Sequence, residues 1–245
     1  MEPGTLLLVG AVFLLAGAVK GISGMGLPTV SMALLGLFLT PAAAAALMVG
    51  PSLATNLAQC AGPHWRTLGA RLWPLWLALA LATVFSPLPD LGTSGPVARV
   101  ALGAVLIAYG VWGLARPALP DLGLPVRPAG AVAGALTGMV TAATGIFVIP
   151  LVPYVQTLRL DREQLIQALG LSFMVATLAL AARLGRIGAA PWSLDLAPCA
   201  VALVAAFAGL WLGARWRRRL RPVAFQRALF AVFVLLGAAM LARAL

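Results

Sequence analysis

The chain has 245 residues, 62% of them apolar and 9% charged, with a mean hydropathy of +1.02. Soluble domains carry about 25% charged residues, so the composition excludes a soluble enzyme and a disordered regulator. Two cysteines are too few for a disulfide scaffold. What remains is an all-α polytopic membrane protein, and spans of about 20 residues leave room for about eight to ten. The formal charge of +11 does not point to nucleic acid, because five arginines crowd between Arg215 and Arg221 in one short loop between apolar runs. That is how a cytoplasmic loop reads under the positive-inside rule.

The start of the chain has no basic region and no small-residue cleavage site, so the first apolar segment is expected to be retained as a span. It runs from about Leu6 to Leu39, too long for one helix across a core about 30 Å thick. Its middle, Lys20-Gly21-Ile22-Ser23-Gly24-Met25-Gly26-Leu27-Pro28, holds three glycines, a proline and the only lysine. Glycine and proline weaken helix interiors, which predicts two helical pieces around a non-helical break. At membrane depth such a break must be covered by protein or line a wet cavity.

A second span is expected from about Pro41 to Ala61, with Pro41 in its first turn and Pro51 kinking its interior. A third covers about Leu72 to Pro87, followed by a turn with Pro87, Pro89 and Gly92. A fourth runs from about Pro96 to Ala115. Pro117, Pro120, Pro125 and Pro128 then space a linker, and the boundary between two four-span halves, 1–120 and 121–245, is placed there. The next apolar stretch, about Ala129 to Val155, is again long. It contains Thr137-Gly138-Met139-Val140-Thr141-Ala142-Ala143-Thr144-Gly145 before Pro150 and Pro153. Spans follow at about Gln164–Leu184, Leu194–Ala214 and Val223–Leu241.

The halves echo each other. Gly50-Pro51-Ser52 precedes Gly170-Leu171-Ser172 by 120 positions, and Ser23-Gly24 precedes Thr144-Gly145 by 121. Trp65-Arg66-Thr67-Leu68-Gly69 precedes Leu184-Gly185-Arg186-Ile187-Gly188 by 119. Paired Gly/Pro-interrupted segments in repeated halves are the best sequence pointer to a transporter's binding site. Each half is thus expected to open with a broken or re-entrant segment. With the Arg215–Arg221 loop inside and eight simple crossings, both termini fall outside. Arg159 and Arg162 then lie inside, and Arg66, Arg71, Arg116, Arg127, Arg183 and Arg186 outside, which is a poor score for the rule. Re-entrant segments would change the count.

Lys20 is the first candidate for chemistry. A charge deep in the membrane is costly and faces a cavity or a partner, so it could contact an anionic substrate. Leu6 to Lys20 is only about 22 Å of helix, so the side chain could instead snorkel to an interface. The two breaks are the second candidate. Unwound backbone and half-helix N-termini attract anions, and Ser23, Gly24, Thr141, Thr144 and Gly145 could add donors. Gly17–Gly21 and Gly134–Gly138 also fit simple small-xxx-small packing. In the second span Ser52, Asn56 and Gln59 fall on one helical face, next to Thr55. Gln164, Gln167, Ser172 and Thr177 form a thinner counterpart.

Other chemistry is poorly supported. His64, the single histidine, reads as interfacial, and there is no HExxH, Gly-x-Ser-x-Gly or Walker loop. Cys60 and Cys199 are 139 apart rather than one repeat period and lie in no CxxC, so a thiol relay is the weaker alternative. The acids Glu2, Asp90, Asp121, Asp161, Glu163 and Asp195 all fall in termini, loops or helix ends. With no mid-span carboxylate for a proton or sodium ion, uncoupled or weakly coupled anion efflux is favoured over concentrative uptake. An anion leaving a negative-inside cell gains about 2.3 kcal/mol per charge per 100 mV.

These features resemble the sulfite exporter TauE/SafE family. The resemblance rests on Gly17-Ala18-Val19-Lys20-Gly21-Ile22-Ser23-Gly24-Met25-Gly26-Leu27-Pro28, on Gly134–Gly138 with Thr144-Gly145-Ile146-Phe147-Val148-Ile149-Pro150, and on Gly50-Pro51-Ser52 and Gly170-Leu171-Ser172. The denser Gly-Gly-Gly run common in the family is missing from both halves. The resemblance covers nearly the whole chain. It implies seven to nine spans in two related halves and transport of sulfite, sulfonates or other small sulfur oxyanions.

The expectation is therefore a non-enzymatic inner-membrane exporter of a small anion. The halves rock around a site built from Lys20, Ser23, Gly24, Ser52, Asn56, Gln59, Thr141, Thr144, Gly145 and Ser172. No metal or cofactor is expected. The partners are a small anionic substrate and the lipid bilayer, not nucleic acid; homodimerisation stays open. The competing readings are the thiol relay and a membrane scaffold that docks a partner through the Arg215–Arg221 loop.

Overall fold

The computed structural model describes residues 3–88, 91, 96–115, 125–191, 194–217 and 222–243. Among them lie ten α-helices and no strand: α1 (Pro3–Ser23), α2 (Leu27–Leu35), α3 (Pro41–Cys60), α4 (Trp65–Phe85), α5 (Pro96–Ala115), α6 (Val126–Thr144), α7 (Leu151–Thr157), α8 (Arg162–Arg186), α9 (Leu196–Trp216) and α10 (Pro222–Ala242). The boundary at 120/121, Pro89, Gly92, Arg116, Pro117 and Pro120 lie outside the described residues, as do Arg218, Arg219 and Arg221 of the basic loop. Six helices, α1, α4, α5, α8, α9 and α10, are long and apolar enough to cross a membrane. Helices α3 and α6, with 20 and 19 residues, match them in length but are richer in small and hydroxyl side chains.

The first long apolar run is a hairpin. Helix α1 ends at Ser23, Gly24 and Gly26 take φ of 81° and 106°, and α2 folds back so that Gly26 lies beside Val19. Only glycine adopts that backbone without strain. Pro28 sits in the first turn of α2, where its missing N–H costs nothing. The second long run repeats the device. Helix α6 ends at Gly145, φ 72°, and α7 returns far enough for the Tyr154 hydroxyl to donate to the Val126 carbonyl, 2.7 Å away at the start of α6.

Glycine contacts fix the direction of the long helices. Gly17 lies against Ala206 and Leu210, and Gly21 against Leu210 and Ala214, so α1 and α9 run parallel. Gly134 lies against Leu75, and Gly138 against Leu79 and Thr83, so α4 and α6 are parallel as well. Gly103 meets Gly237 and Gly110 meets Phe230, which makes α5 and α10 antiparallel. In each pair the side chain is missing where the neighbouring backbone passes. Lipid tails are as apolar as leucine, so close backbone approach, not hydrophobic burial, holds such helices together.

The bundle consequently has two ends. One gathers the C-termini of α1, α3, α5 and α9 with the N-termini of α4, α6, α8 and α10. Arg66, Arg71, Arg127, Arg159, Arg162, Arg215 and Arg217 lie at or near this basic end. Arg99, Arg183, Arg186 and Arg243 lie at the other. This corrects the count from simple crossings, which put Arg66, Arg71 and Arg127 opposite the Arg215 loop. Each long apolar run passes in and back as a hairpin, which reverses the side of everything up to the next run.

Helix α8 is tied to the first half of the chain at both of its ends. Near the basic end the Gln167 amide donates to the carbonyls of Cys60 and Gly62, 2.9 Å each, and accepts from the His64 N–H at 3.1 Å. At the other end the buried Arg183 guanidinium reaches the carbonyls of Thr83, Val84, Ser86 and Leu88 at 3.1–3.4 Å. These include the last carbonyls of α4, which have no partner within their own helix.

Two pairs of substitutions test this packing, all read as melting temperature in detergent. Gly209→Ala places a methyl on the Leu14 carbonyl and should destabilise by about 1–3 kcal/mol, the usual cost of overpacking. Gly69→Ala adds the same methyl where nothing lies within 4 Å and should be neutral or stabilising by up to about 1 kcal/mol. Arg183→Met strands several carbonyls and should cost about 3 kcal/mol, whereas Arg186→Gln, at an exposed position, should change little.

Candidate functional site

The last turn of α1 places Lys20 against the last two turns of α3. Its ammonium is buried, with 3% of the residue exposed. It donates to Thr55 Oγ1 at 3.0 Å and to Asn56 Oδ1. The Thr55 hydroxyl passes its own hydrogen to the Pro51 carbonyl, 2.7 Å away. Both partners of the ammonium are thus neutral oxygens. Among the described residues the acids are Asp161, Glu163 and Asp195, at the starts of α8 and α9, and none pairs with Lys20. A buried charge usually has a counter-ion, and here the protein supplies only dipoles. The snorkelling alternative for Lys20 does not hold, because Thr55 and Asn56 turn the side chain into the bundle.

One turn beyond, Gln59 Nε2 donates to the Gly24 carbonyl at 2.6 Å, so α3 holds the unwound segment in place. The face predicted from Ser52, Asn56 and Gln59 is therefore the face that meets the α1 break. Three of its polar atoms, Ser52 Oγ, Asn56 Nδ2 and Gln59 Oε1, are buried without a hydrogen-bond partner. Thr29 Oγ1 on α2 is a fourth such atom. Buried polar atoms are rarely left so. Ser23 is occupied locally, donating to the carbonyls of Val19 and Met25.

The second break is arranged differently. Thr141 and Thr144 donate to the carbonyls four residues back, at 2.7 Å each, and Thr144 Oγ1 also accepts from the Ile146 N–H at 3.2 Å. These hydroxyls hold the turn at Gly145, whose Cα faces Met32 of α2. Ser172 is likewise engaged. It accepts from the Trp76 indole at 2.9 Å and donates to the Ala168 carbonyl at 2.7 Å. Of the ten expected site residues, Lys20, Gly24, Ser52, Asn56 and Gln59 come together with Thr55. Thr141, Thr144 and Gly145 form a second, self-satisfied group, and Ser172 belongs to a contact between α4 and α8.

A cleft of about 280 Å³ opens beside the first break. It is lined by Met25, Tyr109, Trp112, Gln156, Gln226 and Phe230, among others. The Tyr109 hydroxyl approaches Met25 Sδ at 4.0 Å. At the opposite end of the bundle a cavity of about 630 Å³ is lined by residues 84–88 with Arg183, Arg186 and Ile187. Sequence reading missed Trp76 and Arg183 as structural ties. Arg183 looked like a loop arginine, and no sequence signal gives the reach of its side chain. Cys60 and Cys199 are free thiols at opposite ends of the bundle, Cys60 closing α3 at the basic end and Cys199 in the first turn of α9. That separation removes the geometric basis for a relay between them. Among the described residues no group of three His, Cys, Asp or Glu side chains gathers as a metal site.

No curated protein and no solved structure matches the chain. The family profile described as sulfite exporter TauE/SafE matches residues 9–240. A polytopic helical bundle matched over nearly its whole length, the chain belongs to the sulfite exporter TauE/SafE family of membrane transporters.

Proposed function

We propose that this chain carries a small sulfur oxyanion, sulfite or an organosulfonate, outward across a cell inner membrane. The observation that carries the reading is the buried Lys20 ammonium, held only by neutral oxygens of α3, the helix that also carries three buried polar atoms without a partner. An anion is the counter-ion such a site lacks. The basic end is the cytoplasmic one on the positive-inside rule, and the cleft beside Met25 gives the substrate its way in from that side.

Eight long helices span the bilayer in this reading, and α2 and α7 are re-entrant. The halves 1–120 and 121–245 are inverted copies. In support, α1 and α6 run in opposite directions, as do α3 and α8, α4 and α9, and α5 and α10. The close pairs α1·α9 and α6·α4 also exchange under that correspondence. Inverted repeats of this kind permit alternating access by rocking one unit against the other. The described acids stay at helix starts and none pairs with Lys20, which favours efflux driven by membrane potential over coupling to a cation.

Proteoliposomes test this directly. Wild-type protein should release trapped sulfite or an organosulfonate, and Lys20→Met should lower the rate at least tenfold at unchanged melting temperature. An unaltered rate would remove Lys20 from the mechanism. An imposed potential of 100 mV, negative inside, should shift the distribution of a monovalent substrate about fiftyfold outward. No response to potential for a charged substrate would count against uncoupled efflux. Labelling of Cys60 with a small thiol reagent should be slowed by substrate, while labelling of Cys199 should not.

A further inference from the structure

Hydrogen bonds fix the orientation of each amide in the Lys20 cluster. Gly24 offers only a carbonyl, so Gln59 must present Nε2 to it and turn Oε1 away. The Lys20 ammonium can only donate, so Asn56 must present Oδ1 to it and turn Nδ2 away. Neither assignment can flip without facing like against like. Ser52 lies one turn before Asn56 on the same face. Its hydroxyl differs from those of Thr55, Thr83, Thr137, Thr141, Thr144, Ser172 and Thr177, each of which donates to the carbonyl four residues back. The Ser52 hydroxyl makes no such bond, and both Ser52 and Asn56 are fully buried.

The face of α3 that meets Lys20 and Gly24 therefore carries, beside one cation, unused donors on Asn56 and Ser52 and an unused acceptor-only oxygen on Gln59. Resting on the anion-transport reading above, we infer that the site takes a singly charged oxyanion that itself carries an O–H or N–H donor, and that it rejects dianions. One ammonium neutralises one negative charge, and a second charge would stay buried and uncompensated. A bare oxyanion oxygen set against Gln59 Oε1 would meet another acceptor, whereas a hydroxyl or amino group on the ligand satisfies that oxygen. A site with a buried hydrogen-bonding group discriminates strongly against ligands that leave it unpaired.

Binding of four probes to the purified full-length protein, at fixed ionic strength and pH 7, tests the inference: 2-hydroxyethanesulfonate, ethanesulfonate, 1,2-ethanedisulfonate and sulfate. The hydroxylated monoanion should bind about tenfold more tightly than ethanesulfonate, and ethanesulfonate at least tenfold more tightly than either dianion. Sulfate is no larger than the sulfonates, so exclusion by size cannot produce that order. Gln59→Met should abolish the preference for the hydroxyl and keep the preference for one charge, and its melting temperature without ligand reports whether it folds. Lys20→Met should bind none of the four. Equal or tighter binding of sulfate that is lost in Lys20→Met would overturn the inference and leave the anion site standing. Indifference to the hydroxyl in the wild type would overturn the donor requirement. No binding of any probe would overturn the anion-transport reading itself.

Discussion

An ammonium group buried inside a helical bundle has to be solvated by the protein, and the structure around the first break is organised by that need. Lys20 finds its partners on α3, not in water. Thr55 can serve because its own hydrogen is disposed of on the Pro51 carbonyl. Gln59, one turn on, holds the Gly24 carbonyl, so the helix that solvates the charge also fixes the unwound backbone beside it. Removing α3 from this position would expose a charge and a broken helix end together. A strong constraint thus couples α1, the break and α3 into one unit.

Close backbone packing supplies the frame that holds this unit. The α1–α9, α4–α6 and α5–α10 pairs each join the first half of the chain to the second, and each uses glycine where two backbones pass. Neither half is closed by itself. Without glycine at 17, 21, 209 and 213 the parallel α1–α9 pair could not form at this spacing, and the charged end of α1 would lose its backing. Small residues here matter for what they leave out, because a single methyl falls onto a carbonyl oxygen.

Helix α8 adds a polar tie at each end of the bundle, Gln167 to the α3–α4 loop and Arg183 to the end of α4. The two ties differ in kind. Gln167 saturates a neutral amide against a short loop, while the Arg183 guanidinium shares several carbonyls. Any relative movement of the halves has to break or carry these contacts, so they bound the motions open to the bundle. Trp76, donating to Ser172 between them, fixes the middle of the same helix against α4.

The sequence by itself determined the class, the breaks and the polar strip. An apolar content of 62% with 9% charge leaves only a lipid-embedded bundle, and helical breaks had to follow where glycine and proline interrupt a run too long for one span. The alignment of Ser52, Asn56 and Gln59 is a matter of 3.6 residues per turn and needed no tertiary information. What the tertiary structure decided was which neighbour each face meets. Lys20 could have snorkelled, and it turns inward because α3 places two oxygens within reach. Thr141 and Thr144 looked as available as Ser52, yet they are spent on their own helix and on the turn at Gly145. The sides of Arg66, Arg71 and Arg127 depended on whether each long run crosses once or doubles back, a distinction that hydropathy cannot make. Local periodicity is written along one chain; partners across 35 to 107 residues are set by packing, which a single sequence does not record.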